Sequence, residues 1–403
     1  MRRHPARPRA ARTRGHAARP AAWLLAGALT AVSLAACGSG SGSSASTAGE
    51  ISISTGGCGG DWHLDAPGWH TFQLHNSASD SAEVELINPA TGAVYDDIEN
   101  LGAGTTAPLR INVGSGSYAF RCLIEDTDAI TGPTEKVPGH TVGATAILPV
   151  TDDDLLTSAS EYHKYVTTGL VTLASQVNTL NSAIQGAIQS GNLAAARSAW
   201  LPAHLTYERL GAAYDSFGDF DGEIDGRADG LVGGVNSPNW TGFYRLEYGL
   251  WHGQSAASLK KLSAQLVHDV GALQKSWPST QIDLLNMGLR THEILENALQ
   301  FQVSGHDDYG SGTTLATTEA NITGTRVLLT ELHPVLAPRY PDLPAVYTWL
   351  NRLQKLIDAT HTSQGWTAVS KLPTTTRQDI DAAISQSLVE LAPIADITEP
   401  RRQ

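Results

Sequence analysis

Beyond residue 36 the chain has no apolar run long enough to span a bilayer, so its body reads as soluble. Cysteine is scarce: Cys37, Cys58 and Cys122 are all there is. Charged side chains make up only 17% of the residues, while Gly, Ala, Ser and Thr are plentiful. The first 36 residues contain no acid but hold Arg2, Arg3, Arg7, Arg9, Arg12, Arg14 and Arg19. Because the whole chain carries −13, the remainder carries about −20. Such a body repels nucleic acid and anionic lipid headgroups and favours cationic ligands.

The basic stretch to Arg19, the apolar run Ala21 to Leu34 and the small residues before Cys37 have the three-part form of a secretory signal over residues 1–36. Leu34-Ala35-Ala36-Cys37 resembles a bacterial lipobox, in which the Cys is lipidated and becomes the mature N-terminus. A Gly/Ser tether follows over residues 37–49, where a leash from a membrane anchor belongs. The expectation is an exported protein, lipid-anchored on the extracytoplasmic face of the cell membrane. The two remaining cysteines, in an exported chain, suggest one disulfide.

Residues 50–150 read as a β domain. Alternating segments such as Thr71-Phe-Gln-Leu74, Glu83-Val-Glu-Leu-Ile87 and Leu109-Arg-Ile-Asn-Val113 are separated by turn residues such as Asn88-Pro-Ala-Thr-Gly92, which suggests a sandwich. From 151 to 403 the pattern is helical. Thr151-Asp-Asp-Asp154 is a helix start, and Leu155, Tyr162, Val166, Leu170, Leu173 and Val177 form one stripe that Gly191 ends. A helix over 193–214, kinked at Pro202, precedes a Gly- and Asp-rich run from Phe217 to Pro238 that reads as a long loop. Further helices are predicted near 240–252, 255–276, 279–304, 313–333, 342–361 and 376–392, with no strand signals. The fold class is therefore α+β, a β-sandwich followed by an all-α bundle.

Possible ligands fall at helical spacing beside that loop. His204 and Glu208 share a helix face, as do Tyr244 and Glu247, and His292 and Glu296. Inward carboxylates from several helices can cradle a metal, and a hard cation such as ferric iron favours oxygen donors. Each pair taken alone is more often a solvated surface pair. His292-Glu293-Ile-Leu-Glu296 also lacks the second His of the zinc-protease motif H-E-x-x-H.

Tyr207-Glu-Arg-Leu210, Phe217-Gly-Asp-Phe-Asp221, Ile224-Asp-Gly-Arg227 and Trp240-Thr-Gly-Phe-Tyr-Arg-Leu-Glu-Tyr-Gly-Leu-Trp251 resemble, in order and spacing, the imelysin-like domain of the EfeO/EfeM family. The segment with Cys58, Glu83 and Cys122 resembles that family's cupredoxin-like domain. The resemblance implies the iron-binding component of an EfeUOB-type uptake system, which captures Fe3+ or Fe2+ and delivers it to a membrane permease. It also brings in copper or another divalent cation as further cargo and a haem-dependent peroxidase as a further partner. It implies Glu208, Asp225 and Glu247 as ligands, with Tyr244 standing where the family's H-x-x-E motif has its His and Gly211 where relatives often carry a Glu. Tyr244 could supply a phenolate, suited to ferric iron. His204, His292 and Glu296 are compensating candidates. In the β domain a blue-copper centre is disfavoured, because it holds no Met and no His closely follows Cys122. Cys58 and Cys122 remain either a disulfide or, with Glu83, a thiolate metal site.

The alternatives are an imelysin-like metallopeptidase and a polysaccharide- or other-cation-binding lipoprotein. No Ser/His/Asp arrangement, Cys nucleophile or complete zinc signature supports catalysis, so the expectation is a binding protein and no enzyme. Nine Trp, Trp240 and Trp251 among them, are the basis of the carbohydrate alternative.

Overall fold

The computed structural model describes residues 46–60 and 62–401. The signal-like segment, Cys37 and the tether up to residue 45 lie outside the described residues. No helix among those described is long and apolar enough to cross a membrane.

Period-two patterning builds the first half. One sheet combines β1 (Ser46–Ser54), β2 (Gly57–Cys58), β3 (Gly68–Asn76) and β6 (Thr106–Val113) in the order 2-1-3-6, with β1 parallel to β3. The second combines β4 (Ala82–Ile87), β5 (Val94–Leu101), β7 (Gly116–Ile124) and β8 (Ile130–Thr131) in the order 5-4-7-8, and β9 (Glu135–Val137) also pairs with β7. Alternate residues of each strand turn inward, and Ile51, Phe72, Leu86, Leu109 and Phe120 share one core between the sheets. β1 starts inside the stretch read as tether, because Ser46 and Thr47 already pair with His70 and Thr71.

Cys58 on β2 and Cys122 on β7 form a disulfide that ties one sheet to the other, with Cα atoms 5.8 Å apart. This resolves the two readings of these cysteines. Bonded sulfurs offer no thiolate, and Glu83 accepts a hydrogen bond from Arg401 at 2.8 Å instead of completing a metal site. By loop closure alone, the crosslink over 64 residues is worth about 4 kcal/mol.

The helical half begins as its sequence dictates. In α1 (Asp152–Ser190) the Thr151 hydroxyl accepts from Asp154 N while the Asp154 carboxylate accepts from Thr151 N, a reciprocal cap. Gly191 closes the helix at φ 70°, a conformation glycine adopts without strain. The inward stripe of α1 packs on α2 (Ala194–Glu208) and α6 (Ala256–Ser276). α2 stops at Glu208, short of the predicted 214. A 3-10 turn over Gly211–Ala213 leads into α3 (Tyr214–Phe217). The run expected as loop holds α4 (Asp219–Asp225), whose first-turn Asp219 and Asp221 favour the helix dipole.

After α5 (Gly242–Trp251) and α6 comes α7 (Asn286–Asn297), which passes into a π turn over Ala298–Gln302. α8 (Thr314–Leu336), α9 (Leu343–Asp358) and α10 (Thr374–Thr398) complete the bundle. A short hairpin of β10 (His361–Thr362) and β11 (Gly365–Trp366) stands where no strand was expected. The chain then returns to the sandwich. Val150 bridges Pro400, and the Arg401 guanidinium reaches Glu83, Asp97 and Glu99 on β4 and β5.

Candidate metal centre

α2 carries the first two donors. Its buried face includes Trp200, Ala203, His204, Tyr207 and Glu208, so the i, i+4 pair His204 and Glu208 points into the bundle. Trp200 donates its indole N–H to Phe243 O at 3.0 Å, which locks α2 against α5. The His204 ring sits 4.8 Å from that of Trp200, 5.3 Å from Phe243 and 5.1 Å from Tyr244, so aromatic faces fix its rotamer.

α4 and α5 bring the next two. Asp225 ends α4, and Tyr244 lies in the first turn of α5. These helices meet closely because Gly242 has φ 82° and no side chain. A Cβ there would lie 2.2 Å from Ile224 O. The Thr241 hydroxyl donates to Glu223 O at 2.8 Å and fastens the same corner.

The resulting cluster is tight. His204 Nε2 lies 3.0 Å from Glu208 Oε1 and 3.1 Å from Asp225 Oδ1. One ligand atom from each of the three residues lies within 4.8 Å of the other two. The Tyr244 hydroxyl is 3.5 Å from Glu208 Oε1 and donates to Asp307 Oδ2 at 2.9 Å. Tyr214 approaches Glu208 Oε2 at 3.5 Å. With its amide turned to satisfy both ends, Asn321 of α8 donates to Glu208 Oε2 at 3.0 Å. Glu208, Asp225, Tyr244, Asp221, Asn321 and the open position of Gly211 line a cavity of about 170 Å³.

Electrostatically the cluster sets two carboxylates around one imidazole. Burial and the repulsion of Glu208 push the Asp225 carboxyl up to about 8, although His204 beside it pulls the other way. Burial alone would lower the His204 pKa, but Asp225 and Glu208 outweigh it and hold the ring well above its ordinary value. Protonated His204 is thus the local cation. Burial raises the Tyr244 hydroxyl far above 10, and the neighbouring carboxylates add to the shift. A multivalent cation among these groups would replace protons and relieve the repulsion. The donor set, one imidazole, two carboxylates and one phenol, is that of a hard or borderline ion.

The other sequence candidates make no hydrogen bond or ion pair with this group, though Glu247 is near enough to feel the charge of His204. Glu247 is buried one turn along α5, where its Oε1 accepts from Ser311 N at 2.9 Å. Burial pushes it up to about 7 against that hydrogen bond. His292 and Glu296 do pair, at 3.6 Å, but the Glu296 side chain is 60% exposed and neither lines the cavity. Their helix neighbours Glu293, Ile294 and Asn297 line it instead. Trp240 is buried and donates to Gly226 O at 2.8 Å, so it offers no open face to a sugar.

Asp307 was not singled out by sequence. It is 1% exposed, accepts from Tyr244 and from Gln302 Nε2 at 2.7 Å, and has an Oδ1 with no partner. Burial raises its carboxyl to about 6. Gln302 ends the π turn, an element that often marks functional sites. The signal was present in Gly305-His-Asp-Asp-Tyr309, but that run has no period to orient it.

Residues 161–394 match the model of the imelysin family (peptidase M75). The chain is similar to the iron uptake system component EfeO of Yersinia pseudotuberculosis, 27% identical over 329 residues that span 81% of this chain and 84% of that one. It is also similar to EfeO of Escherichia coli O1:K1, 26% identical over 331 residues with the same coverage. A solved precursor structure from Parabacteroides distasonis aligns with a TM-score of 0.46 at 13% identity, over 62% of this chain and 96% of that one.

Proposed function

This chain belongs to the imelysin family, and on that footing we propose that it is the iron-binding component of an uptake system, exported and anchored by lipidated Cys37. It captures iron among His204, Glu208, Asp225 and Tyr244 and passes it to a membrane permease. The observation that carries this reading is the convergence of buried His204 and Glu208 with partly buried Asp225 within 4.8 Å. Groups so placed repel one another and hold shared protons until a cation enters. The names of the EfeO relatives supply the cargo, iron.

Iron is cargo in this reading, and each ligand serves capture and release. The two carboxylates attract the ion, and His204 gives up its proton as the ion arrives. Tyr244, hydrogen-bonded to Asp307, has an acceptor already in place for the phenol proton. Copper or another divalent cation is further cargo, and a haem-dependent peroxidase is a further partner. The family's peptidase description has no counterpart in a nucleophile or a complete zinc motif here, so no peptide turnover is expected with or without metal.

The test is a titration of the metal-free protein with iron(III), compared with Asp225→Asn and Glu208→Gln variants whose folding is checked by circular dichroism. Each variant should lose affinity by about a hundredfold or more, since a charged donor is replaced by a neutral one. Equal binding by parent and Asp225→Asn would remove this site from the proposal.

A further inference from the structure

The cavity wall is not acidic throughout. Arg227 and Arg290 line it beside Glu208, Asp221 and Asp225. Arg290 is engaged, with Asp215 Oδ1 at 3.1 Å and Glu293 Oε2 at 2.6 Å. Arg227 is not. Among the described residues no carboxylate stands within ion-pair distance of it, and its guanidinium carbon rests 3.5 Å from the centre of the Phe301 ring. Contact of that kind uses the face of the guanidinium and leaves its N–H edge free to donate. Of the nearby acids, Asp225 pairs with His204 at 3.1 Å and Asp229 with His306 at 3.2 Å, while Asp221 accepts from the Tyr207 hydroxyl at 2.7 Å and meets Arg227 only through space.

The space and the donor count point the same way. A cavity of about 170 Å³ is far larger than the roughly 10–15 Å³ that a single water needs, and larger than a bare ion fills. His204, Glu208, Asp225 and Tyr244, offering one atom apiece, leave an octahedral ion incomplete. Gly211 lines the cavity without a side chain to contribute. Asp307 stands behind Tyr244 and is not among the lining residues.

Building on the iron reading above, we propose that the ion is held together with a bidentate oxygen anion, carbonate or the carboxylate arm of a small hydroxy-acid chelate, which Arg227 receives. The anion closes the coordination sphere from the side of Gly211. Its charge meets the guanidinium edge in the paired geometry that suits carboxylates and carbonate. The cargo is then an iron–anion pair, which makes uptake sensitive to the form in which iron arrives.

The test uses the full-length protein, loaded with ferrous iron that is oxidised in place, in buffer free of carbonate and carboxylates. Bound iron is read by the visible phenolate-to-iron absorption and by metal analysis after desalting. Adding bicarbonate or citrate should tighten retention by about tenfold or more. Radiolabelled citrate that desalts with the protein identifies a chelate as the source, and its absence identifies free carbonate. Arg227→Gln should lose the anion effect, while Gly211→Glu should retain iron without any added anion. A Cβ at 211 would meet Ile294 at 3.4 Å, the edge of ordinary contact, so folding of that variant is checked by circular dichroism. Equal retention in anion-free buffer, or an anion effect unchanged in Arg227→Gln, overturns the inference and leaves iron binding intact. Folded parent protein that retains no iron under any of these conditions overturns both.

Discussion

In the proposed site, Tyr244 is the residue on which cation choice would turn. Its hydroxyl lies between Glu208 Oε1 at 3.5 Å and Asp307 Oδ2 at 2.9 Å, at a position for which the family resemblance implies His. A phenolate is a hard anionic donor, while an imidazole is neutral and suits copper(II) better. Removing the Tyr244 proton from a buried site costs more than in water, because burial and the carboxylates raise it far above 10. Only a strongly polarising ion offsets that cost. Iron(III) should therefore give a visible phenolate-to-iron band that vanishes in Tyr244→Phe, with affinity falling about tenfold to a hundredfold. Tyr244→His should shift the ratio of copper(II) to iron(III) affinity toward copper. Parent protein that binds iron(III) without a visible band would exclude the phenolate as a ligand.

At the level of elements, periodicity told which residues share a face but not which way that face turns. His204 with Glu208 and His292 with Glu296 have the same spacing, and both pairs form. Ala196, Trp200 and Ala203 turn the first pair inward, whereas Met287, Thr291, Ile294 and Leu295 form the buried face of α7 and leave Glu296 outside. Patterning also made α1 legible down to its cap. Thr151→Ala should remove one half of the reciprocal bond and lower stability by about 1 kcal/mol in a denaturant melt. An unchanged melting curve would mean that Asp154 caps α1 unaided. Other elements were hidden, the hairpin of β10 and β11 among them. In α4, Gly222 and the flanking Gly218 and Gly226 read as loop, yet Asp219 and Asp221 at the first turn and the aromatic packing of Phe220 sustain a helix. In β5 the run Val94-Tyr-Asp-Asp-Ile-Glu-Asn-Leu101 lacks a clean alternation because its carboxylates face Arg401, some 300 residues later in the chain. Helical spacing marked Glu208 and Tyr244, whereas Asp225, inside the run read as loop, was marked by the family resemblance alone. Asp307 escaped because only tertiary structure brings its turn behind Tyr244.

For the whole molecule, the buried carboxylates are a stability cost that a bound cation would remove. Burial raises Asp307 to about 6, Glu247 to about 7 and Asp225 to about 8, and the two carboxylates hold His204 above its ordinary value. In every case the folded chain binds the proton more tightly than the unfolded one. The carboxyls' contribution to stability is therefore complete below the ordinary carboxylate range and is lost as pH rises through about 6 to 8, while that of His204 is complete below its ordinary value and is lost above it. Metal-free protein should lose thermal stability from this site between about pH 5 and pH 8, and Asp225→Asn should flatten that part of the curve. Iron acts in the opposite sense. On the proposed reading it would bind only the folded cluster, bring positive charge to it and displace protons, so its stabilisation should grow as pH rises and fade on acidification. Calorimetric melts with and without iron across this range give both curves at once, and the gap between them should widen toward alkaline pH. A gap that stays constant, with parent and Asp225→Asn curves superimposed, would mean that the buried carboxylates do not exchange protons for the ion and that iron sits elsewhere. A widening gap ties capture at neutral pH to release in acid, with no moving part beyond the protons of His204 and Asp225.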